Sequence, residues 1–207
     1  MASDSSGTRA AMGSAERALV ELFAQNRDRL RRMVRLRLDR RLQGRVDPSD
    51  VLQEAHIEVA NRAKEYLANP AMPAFLWLRF ITGQRLLATH RAHLGAQARD
   101  ANLEVSLHRG AVPQATSVSL AELLLGRITS PTRAARRAEM QVRLQEILNS
   151  MDPIDREVLT LRHFEGLSNS ETARVLGLTK AAASNRYMRA LSRLKETLTG
   201  MPDFLDP

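Results

Sequence analysis

Along most of the chain, apolar residues recur every three or four positions, the spacing that lays them on one face of a helix, and alternating β-branched runs are almost absent. From Ala15 to Leu42 the stripe is Leu19, Leu22, Phe23, Leu30, Met33, Val34, Leu38 and Leu42, with a break expected near Asn26. Gly44 to Pro48 interrupts it. Asp47-Pro48 then sets a carboxylate cap before a proline whose missing N–H costs nothing in a first helical turn, so a helix is expected from there to about Leu67. Val51, Leu52, Ala55, Val59 and Ala63 form its apolar side, leaving Asp50, Gln53, Glu54, Ile57 and Glu58 outward. Residues 68–73 hold Pro70 and Pro73, which remove donors and restrict what precedes them, so this stretch must be a loop. Ala74 to about His93 resumes as a helix with Phe75, Leu78, Ile81 and Leu86 as candidate core. Trp77 is expected in or beside that core rather than stacked on a base.

From Asp100 to Arg136 the periodicity fades into Val112-Pro113, Ser/Thr-rich stretches and Ser130-Pro131-Thr132, the composition of a flexible linker. Within it, Leu120, Leu123, Leu124 and Leu125 fit a small satellite helix. Ala138 to Met151 is again helical, with Met140, Val142, Leu144, Ile147 and Leu148 as its apolar residues. Asp152-Pro153 repeats the cap-then-proline entry, and Ile154, Val158, Leu161 and Phe164 share one side of the helix that Gly166 ends. Ser168 and Glu171 have the spacing in which a hydroxyl and a carboxylate satisfy each other's end of a new helix. Gly177 ends that helix, Thr179 caps the next, and Ala183, Tyr187, Ala190, Leu191 and Leu194 form a buried stripe on it. The pair reads as a helix-turn-helix. Its outer face would carry Lys180, Ser184, Asn185, Arg189 and Arg193, with Arg186 near the edge, a set able to reach phosphates and base edges in a major groove. An ordinary αα-hairpin with a solvated basic face has the same pattern.

The expected architecture is all-α: two small helical domains, 15–99 and 138–200, joined by a flexible linker over 100–137, with tails at 1–14 and 201–207. The first tail, rich in Ser and Gly, is expected to be disordered because it cannot bury enough surface to offset its ordering entropy. The formal net charge of +8 comes mostly from arginine, whose planar fork suits phosphate, so a polyanion is a plausible partner. Arg27, Arg29, Arg31, Arg32, Arg35, Arg37, Arg40 and Arg41 could steer one, or form a solvated helix surface. Cysteine is absent, which excludes disulfides, a thiol nucleophile and cysteine-ligated metal. Met1 to Gly13 lacks the apolar core of a secretion signal and no apolar run approaches the ~20 residues that span a bilayer, so a cytoplasmic protein without membrane insertion is expected.

Two stretches together resemble the extracytoplasmic-function sigma factors of bacterial RNA polymerase. Asp50-Val51-Leu52-Gln53-Glu54 is similar to that family's D-L-V-Q-E core-binding helix, and Phe75-Leu76-Trp77-Leu78 followed by Ile81 resembles its F-x-x-W-L-x-x-I segment. Asp152 to Leu159 and the helix-turn-helix resemble its C-terminal promoter-reading domain. The resemblance implies that Asp50, Gln53, Glu54 and Ile57 meet the β′ clamp of core RNA polymerase, with the β flap as a second contact. It implies that the Asn69 to Pro73 loop, including Met72, holds a flipped base of the −10 element, an extrusion that costs a few kcal/mol for stacking and edge contacts to offset. Arg79, Gln84, Arg85 and Arg91 would hold the backbone or the opened strand, and Lys180, Ser184, Asn185, Arg186 and Arg189 would read the −35 element. Two departures stand out: Ile81-Thr82-Gly83-Gln84 and Ala88 where the family often has I-A-R-N and an aspartate, and the small Lys180-Ala181-Ala182-Ala183 start of the recognition helix.

A sigma factor would lend promoter recognition and strand opening to the polymerase without enzymatic chemistry or cofactor of its own. A stand-alone helix-turn-helix regulator is the alternative, with the Asp50 to Glu54 stretch against it. For an enzyme there is no Gly-rich phosphate loop and no nucleophile-base set. His90 and His93 are i, i+3 neighbours, a metal pair only if carboxylates stood nearby, so no metal site is expected. An anti-sigma factor or phosphorylation of the Ser-rich segments would each fit as control.

Overall fold

The computed structural model describes residues 3–94, 113–128 and 134–199, except for the side chains of residues 3–12, 127–128, 134–137 and 197. Residues 100–112 and 129–133 of the expected linker and the whole 201–207 tail lie outside the described residues. Among the described residues there are nine α-helices: α1 Ser3–Gln25, α2 Arg27–Arg37, α3 Pro48–Ala68, α4 Ala74–Leu94, α5 Ser117–Ile128, α6 Ala134–Ser150, α7 Pro153–Leu159, α8 Asn169–Leu176 and α9 Lys180–Thr199. The chain divides into two compact units, Met1–Pro113 and Gln114–Pro207. None of the helices is long and apolar enough to cross a membrane.

In the first unit, α1 starts at Ser3, so residues 3–14 are helical rather than a disordered tail. The apolar turn around Leu19 and Phe23 is anchored in the core, and extending an anchored helix adds one hydrogen bond for each residue fixed. The expected break falls at Asn26, whose side-chain amide donates to the Leu22 carbonyl at 2.9 Å while its own carbonyl oxygen Oδ1 accepts from Arg29 at 3.2 Å. An Asn that bonds the backbone in this way competes with the helix ladder. Asp47 caps α3 by accepting the Ser49 N–H at 2.7 Å, with Pro48 in the first turn. All five residues assigned to its apolar side are buried. The core is closed by Leu30, Met33 and Val34 from α2 and by Trp77, Leu78, Ile81 and Leu86 from α4. Phe75 is only half-buried, and Leu76 and Leu87 are buried instead. Trp77 is 6% exposed and stacks on Tyr66 with ring centroids 4.4 Å apart, which is the core role.

His90, which could have been half of a metal pair, is buried, and its Nε2 accepts the Asp39 N–H at 3.2 Å, tying the end of α2 to the end of α4. Burial pushes its pKa below 6.5, against the opposing pull of Asp39. Between that depressed value and 6.5 the unfolded chain binds the proton that the folded chain refuses, so stability rises with pH across this window and is lost as pH falls. Denaturant unfolding at about pH 7.5 and pH 5.5 should show the first unit weaker at the lower pH, and His90→Gln should flatten the difference.

The second unit is built on α5 and α6, then α7 to α9. Helix α5 is longer than the satellite expected from Leu120 to Leu125, and it buries Leu120, Leu124 and Leu125 where it packs against α6. Its start is pinned by Ser117, whose hydroxyl donates to Asn149 Oδ1 at 2.6 Å and accepts from Arg156 at 3.2 Å. On α6, Met140, Leu144, Ile147 and Leu148 are buried, but Val142, apolar as well, is 55% exposed and lies outside the core. Two residues from Met140 is about 200° around a helix, so Val142 points away from the face the others share. Asp152 caps α7 by accepting the N–H groups of Ile154 and Asp155. A single π-helical stretch, Thr160–Phe164, follows α7.

Candidate nucleic-acid interface

The helix-turn-helix is assembled by short-range chemistry. Ser168 Oγ accepts the Glu171 N–H at 3.2 Å while Glu171 Oε2 accepts the Ser168 N–H at 2.7 Å, a complete capping box. Gly177 ends α8 at φ +63°, a conformation that costs other residues a Cβ clash, and the Leu178 N–H closes the turn on the Ala173 carbonyl at 2.8 Å. Thr179 Oγ1 then accepts the Ala182 N–H at 3.1 Å, and Asn169 Nδ2 reaches across to the Lys180 carbonyl at 2.8 Å, locking the start of α9 to the start of α8. Ala173 and Ala183 are both buried, one on each of the two helices that pack together.

The outer face of α9 differs from the expected one. Lys180 and Asn185 are exposed and Ser184 is half-buried. Arg186 instead turns inward: its guanidinium donates to Asp155 Oδ1 at 2.6 Å and to Asp152 Oδ1 at 3.3 Å. Arg189 pairs through Nε with Asp155 Oδ2 at 3.2 Å, although its side chain is largely exposed. Asp155 is 8% exposed and so gives two arginines of the recognition helix a fixed anchor on α7. Burial pushes Asp152 up, but the Ile154 and Asp155 N–H groups and the Arg186 and Arg189 charges outweigh it and hold its pKa below the usual carboxylate value. Sequence reasoning missed both acids as site residues, since Asp152 reads only as a cap and Asp155 only as a first-turn acid. On α9, Ala181, Asn185, Met188 and Ser192 are exposed on the side away from the buried stripe, with Met188 58% exposed. Beside them an open groove of about 540 Å³ runs between α7 and α9, lined by Asp152, Asp155, Arg189, Arg193 and Glu196.

The first unit carries the remaining candidates. Asp50, Gln53, Glu54 and Ile57 lie along one exposed face of α3, with Ile57 60% exposed, and none of the four side chains has an ion pair or hydrogen bond among the described residues. Glu58, one turn on, is different: it meets Arg85 at 3.1 Å and Arg62 at 3.8 Å. Intramolecular pairing therefore accounts for Glu58 and leaves the other four available. Gln84 Oε1 accepts from Arg62 at 3.1 Å, so Gln84 and Arg85 are braced against α3 rather than projecting alone. Arg91 and Asn69 are exposed. Arg79 is 4% exposed, which corrects its reading as an outward contact. Met72 is half-buried against the core, and its carbonyl accepts the Tyr66 hydroxyl at 2.7 Å, so the Asn69 to Pro73 loop is tied to the ring that stacks on Trp77.

Residues 141–194 match the family model for sigma-70, region 4. The RNA polymerase sigma-E factor of Streptomyces avermitilis is 42% identical over 55 residues, 27% of this chain and 31% of that protein. The ECF RNA polymerase sigma factor SigD of Mycobacterium bovis is 36% identical over 74 residues, 36% of this chain and 35% of that protein. A probable RNA polymerase sigma factor, RfaY, of Xanthomonas campestris pv. campestris is 30% identical over 154 residues, 72% of this chain. The chain thus spans about a third of the length of the curated relatives it matches. Among solved structures, that of CnrH in complex with the cytosolic domain of CnrY superposes with a TM-score of 0.51 and 22% identity, covering 93% of this chain and 95% of that one.

Proposed function

We propose that this chain is an extracytoplasmic-function sigma factor that binds core RNA polymerase through α3 and directs it to promoters through both units, a reading supported by its region 4 segment and its relatives. The observation that carries the reading is the exposed Asp50, Gln53, Glu54 and Ile57 face, whose side chains make no ion pair or hydrogen bond among the described residues, in a chain whose other unit holds a helix-turn-helix. An acidic and amide face with one apolar residue at its C-terminal end suits a basic helical partner such as the β′ clamp, with the β flap as the second contact. The Asn69 to Pro73 loop with Gln84, Arg85 and Arg91 would engage the −10 element, and α9, led by Lys180, Ser184 and Asn185, the −35 element. In this reading Arg186 and Arg189 reach phosphates only by sharing or leaving Asp155. The protein works in the cytoplasm, where the polymerase is, and supplies recognition and strand opening while the polymerase supplies the chemistry, with no cofactor or metal of its own.

Glu54→Lys puts a cation on the α3 face without touching the core. It should cut co-purification with core polymerase by at least tenfold while leaving duplex binding through the second unit intact. Equal polymerase binding by the variant would remove α3 as the contact. Promoter-dependent transcription by core polymerase plus this chain alone separates the reading from a stand-alone helix-turn-helix regulator, which would bind DNA but not direct initiation. CnrH was solved with the cytosolic domain of CnrY, and an anti-sigma partner covering the same exposed faces is the corresponding proposal here.

A further inference from the structure

We propose that α2 presents a phosphate-binding stripe, Arg27, Arg31, Arg32 and Arg35, which grips the DNA backbone independently of the loop and helix-turn-helix surfaces. Helix α2 buries Leu30, Met33, Val34, Leu36 and Arg37, so its remaining side is set toward solvent. Its arginines then fall into two groups. Arg37 is buried and donates to the Pro113 carbonyl at 2.6 Å, and the Arg29 guanidinium lies 3.9 Å from the Phe75 ring centroid. Those two are used within the unit. Arg27, Arg31, Arg32 and Arg35 are all exposed and have no ion pair or hydrogen bond among the described residues.

Arg27, Arg31 and Arg35 stand at i, i+4 and i+8, in line along about 12 Å of helix. Like charges at that spacing weaken a helix, and no acid forms an ion pair with them among the described residues: Asp28 makes none, and the Asp47 carboxylate, near enough to feel the Arg31 and Arg27 charges, accepts the Ser49 N–H and pairs with neither arginine. A duplex carries one phosphate charge per about 1.7 Å of axis, so a 12 Å stripe can face several phosphates at once, and guanidinium forks bind them bidentately. A membrane surface fits less well. An interfacial helix needs apolar residues beside its cations, and the apolar residues of α2 are in the core.

The test rests on the DNA-binding part of the function proposed above and reads the salt dependence of full-length protein binding to a random-sequence duplex of about 30 base pairs, measured by fluorescence anisotropy. In Arg27→Gln/Arg31→Gln/Arg35→Gln the slope of log affinity against log salt should become shallower by about 2–3, with at least a tenfold loss of affinity at about 0.1 M salt and an unchanged or raised melting temperature. A control, Arg17→Gln/Arg45→Gln/Lys64→Gln, removes three exposed cations that lie outside α2 and α9 and should leave the slope near that of the natural chain. Equal slope changes in both variants would reduce the effect to net charge and overturn the stripe. An unaltered slope in the α2 variant overturns it too, and if core polymerase binding falls instead, the stripe is a protein contact. Failure of the natural chain to bind duplex at all would sink the DNA-binding reading rather than the stripe alone.

Discussion

Trp77→Ala is expected to lower the stability of the first unit by about 3–5 kcal/mol, the cost of removing a large ring from a packed core. The indole is nearly buried and lies 4.4 Å from the Tyr66 ring, whose hydroxyl holds the Met72 carbonyl. Removing it leaves a cavity, frees Tyr66 and loosens the loop from Asn69 to Pro73 together with the helices on either side. Trp77→Phe keeps an apolar ring in the same place and should recover most of the loss. Urea unfolding followed by far-ultraviolet circular dichroism measures both. A tryptophan that served only to stack on a base would show the opposite pattern, an unchanged unfolding midpoint with weakened binding to opened promoter DNA.

The second large effect is expected at Asp155. Removing one member of a buried ion pair costs about 3–5 kcal/mol, but Arg189 is well exposed and Arg186 about a quarter exposed, so solvent recovers part of it and Asp155→Ala should cost about 2 kcal/mol. The double variant with Arg186→Ala should be less destabilised than the two single changes combined, with a coupling of about 1–2 kcal/mol. Additive effects would mean that the 2.6 Å contact contributes nothing. The same residue bears on DNA. If Asp155 fixes the rotamers of Arg186 and Arg189 for recognition, Asp155→Asn should reduce discrimination between promoter and random duplex while leaving salt-dependent binding as strong or stronger. If the acid merely occupies them, promoter binding should tighten in the same variant.

Where one helix's own period and caps decide an element, the sequence is easy to read. The break at Asn26, the Asp47-Pro48 and Asp152-Pro153 entries, the Ser168 and Glu171 capping box and the Gly177 turn are all local, because each is satisfied by hydrogen bonds within a few residues. The buried side of α3 is legible for the same reason. Misreadings occur where a local rule meets a remote partner. Residues 3–14 have a coil-like composition, yet they continue a helix anchored at Leu19 and Phe23.

The candidate interfaces divide along the same line. Spacing alone put Asp50, Gln53, Glu54 and Ile57 on one outward face, and marked Lys180 to Arg193 as part of a basic helix, because a helix fixes which of its own residues share a side. It could not say which of those charges are already paired. Arg186 and Arg189 meet an acid more than thirty residues away, Glu58 meets Arg85 on another helix, and Arg79 is buried. Periodicity within a helix determines direction, but availability depends on what another helix brings within a few ångströms, and only packing decides that.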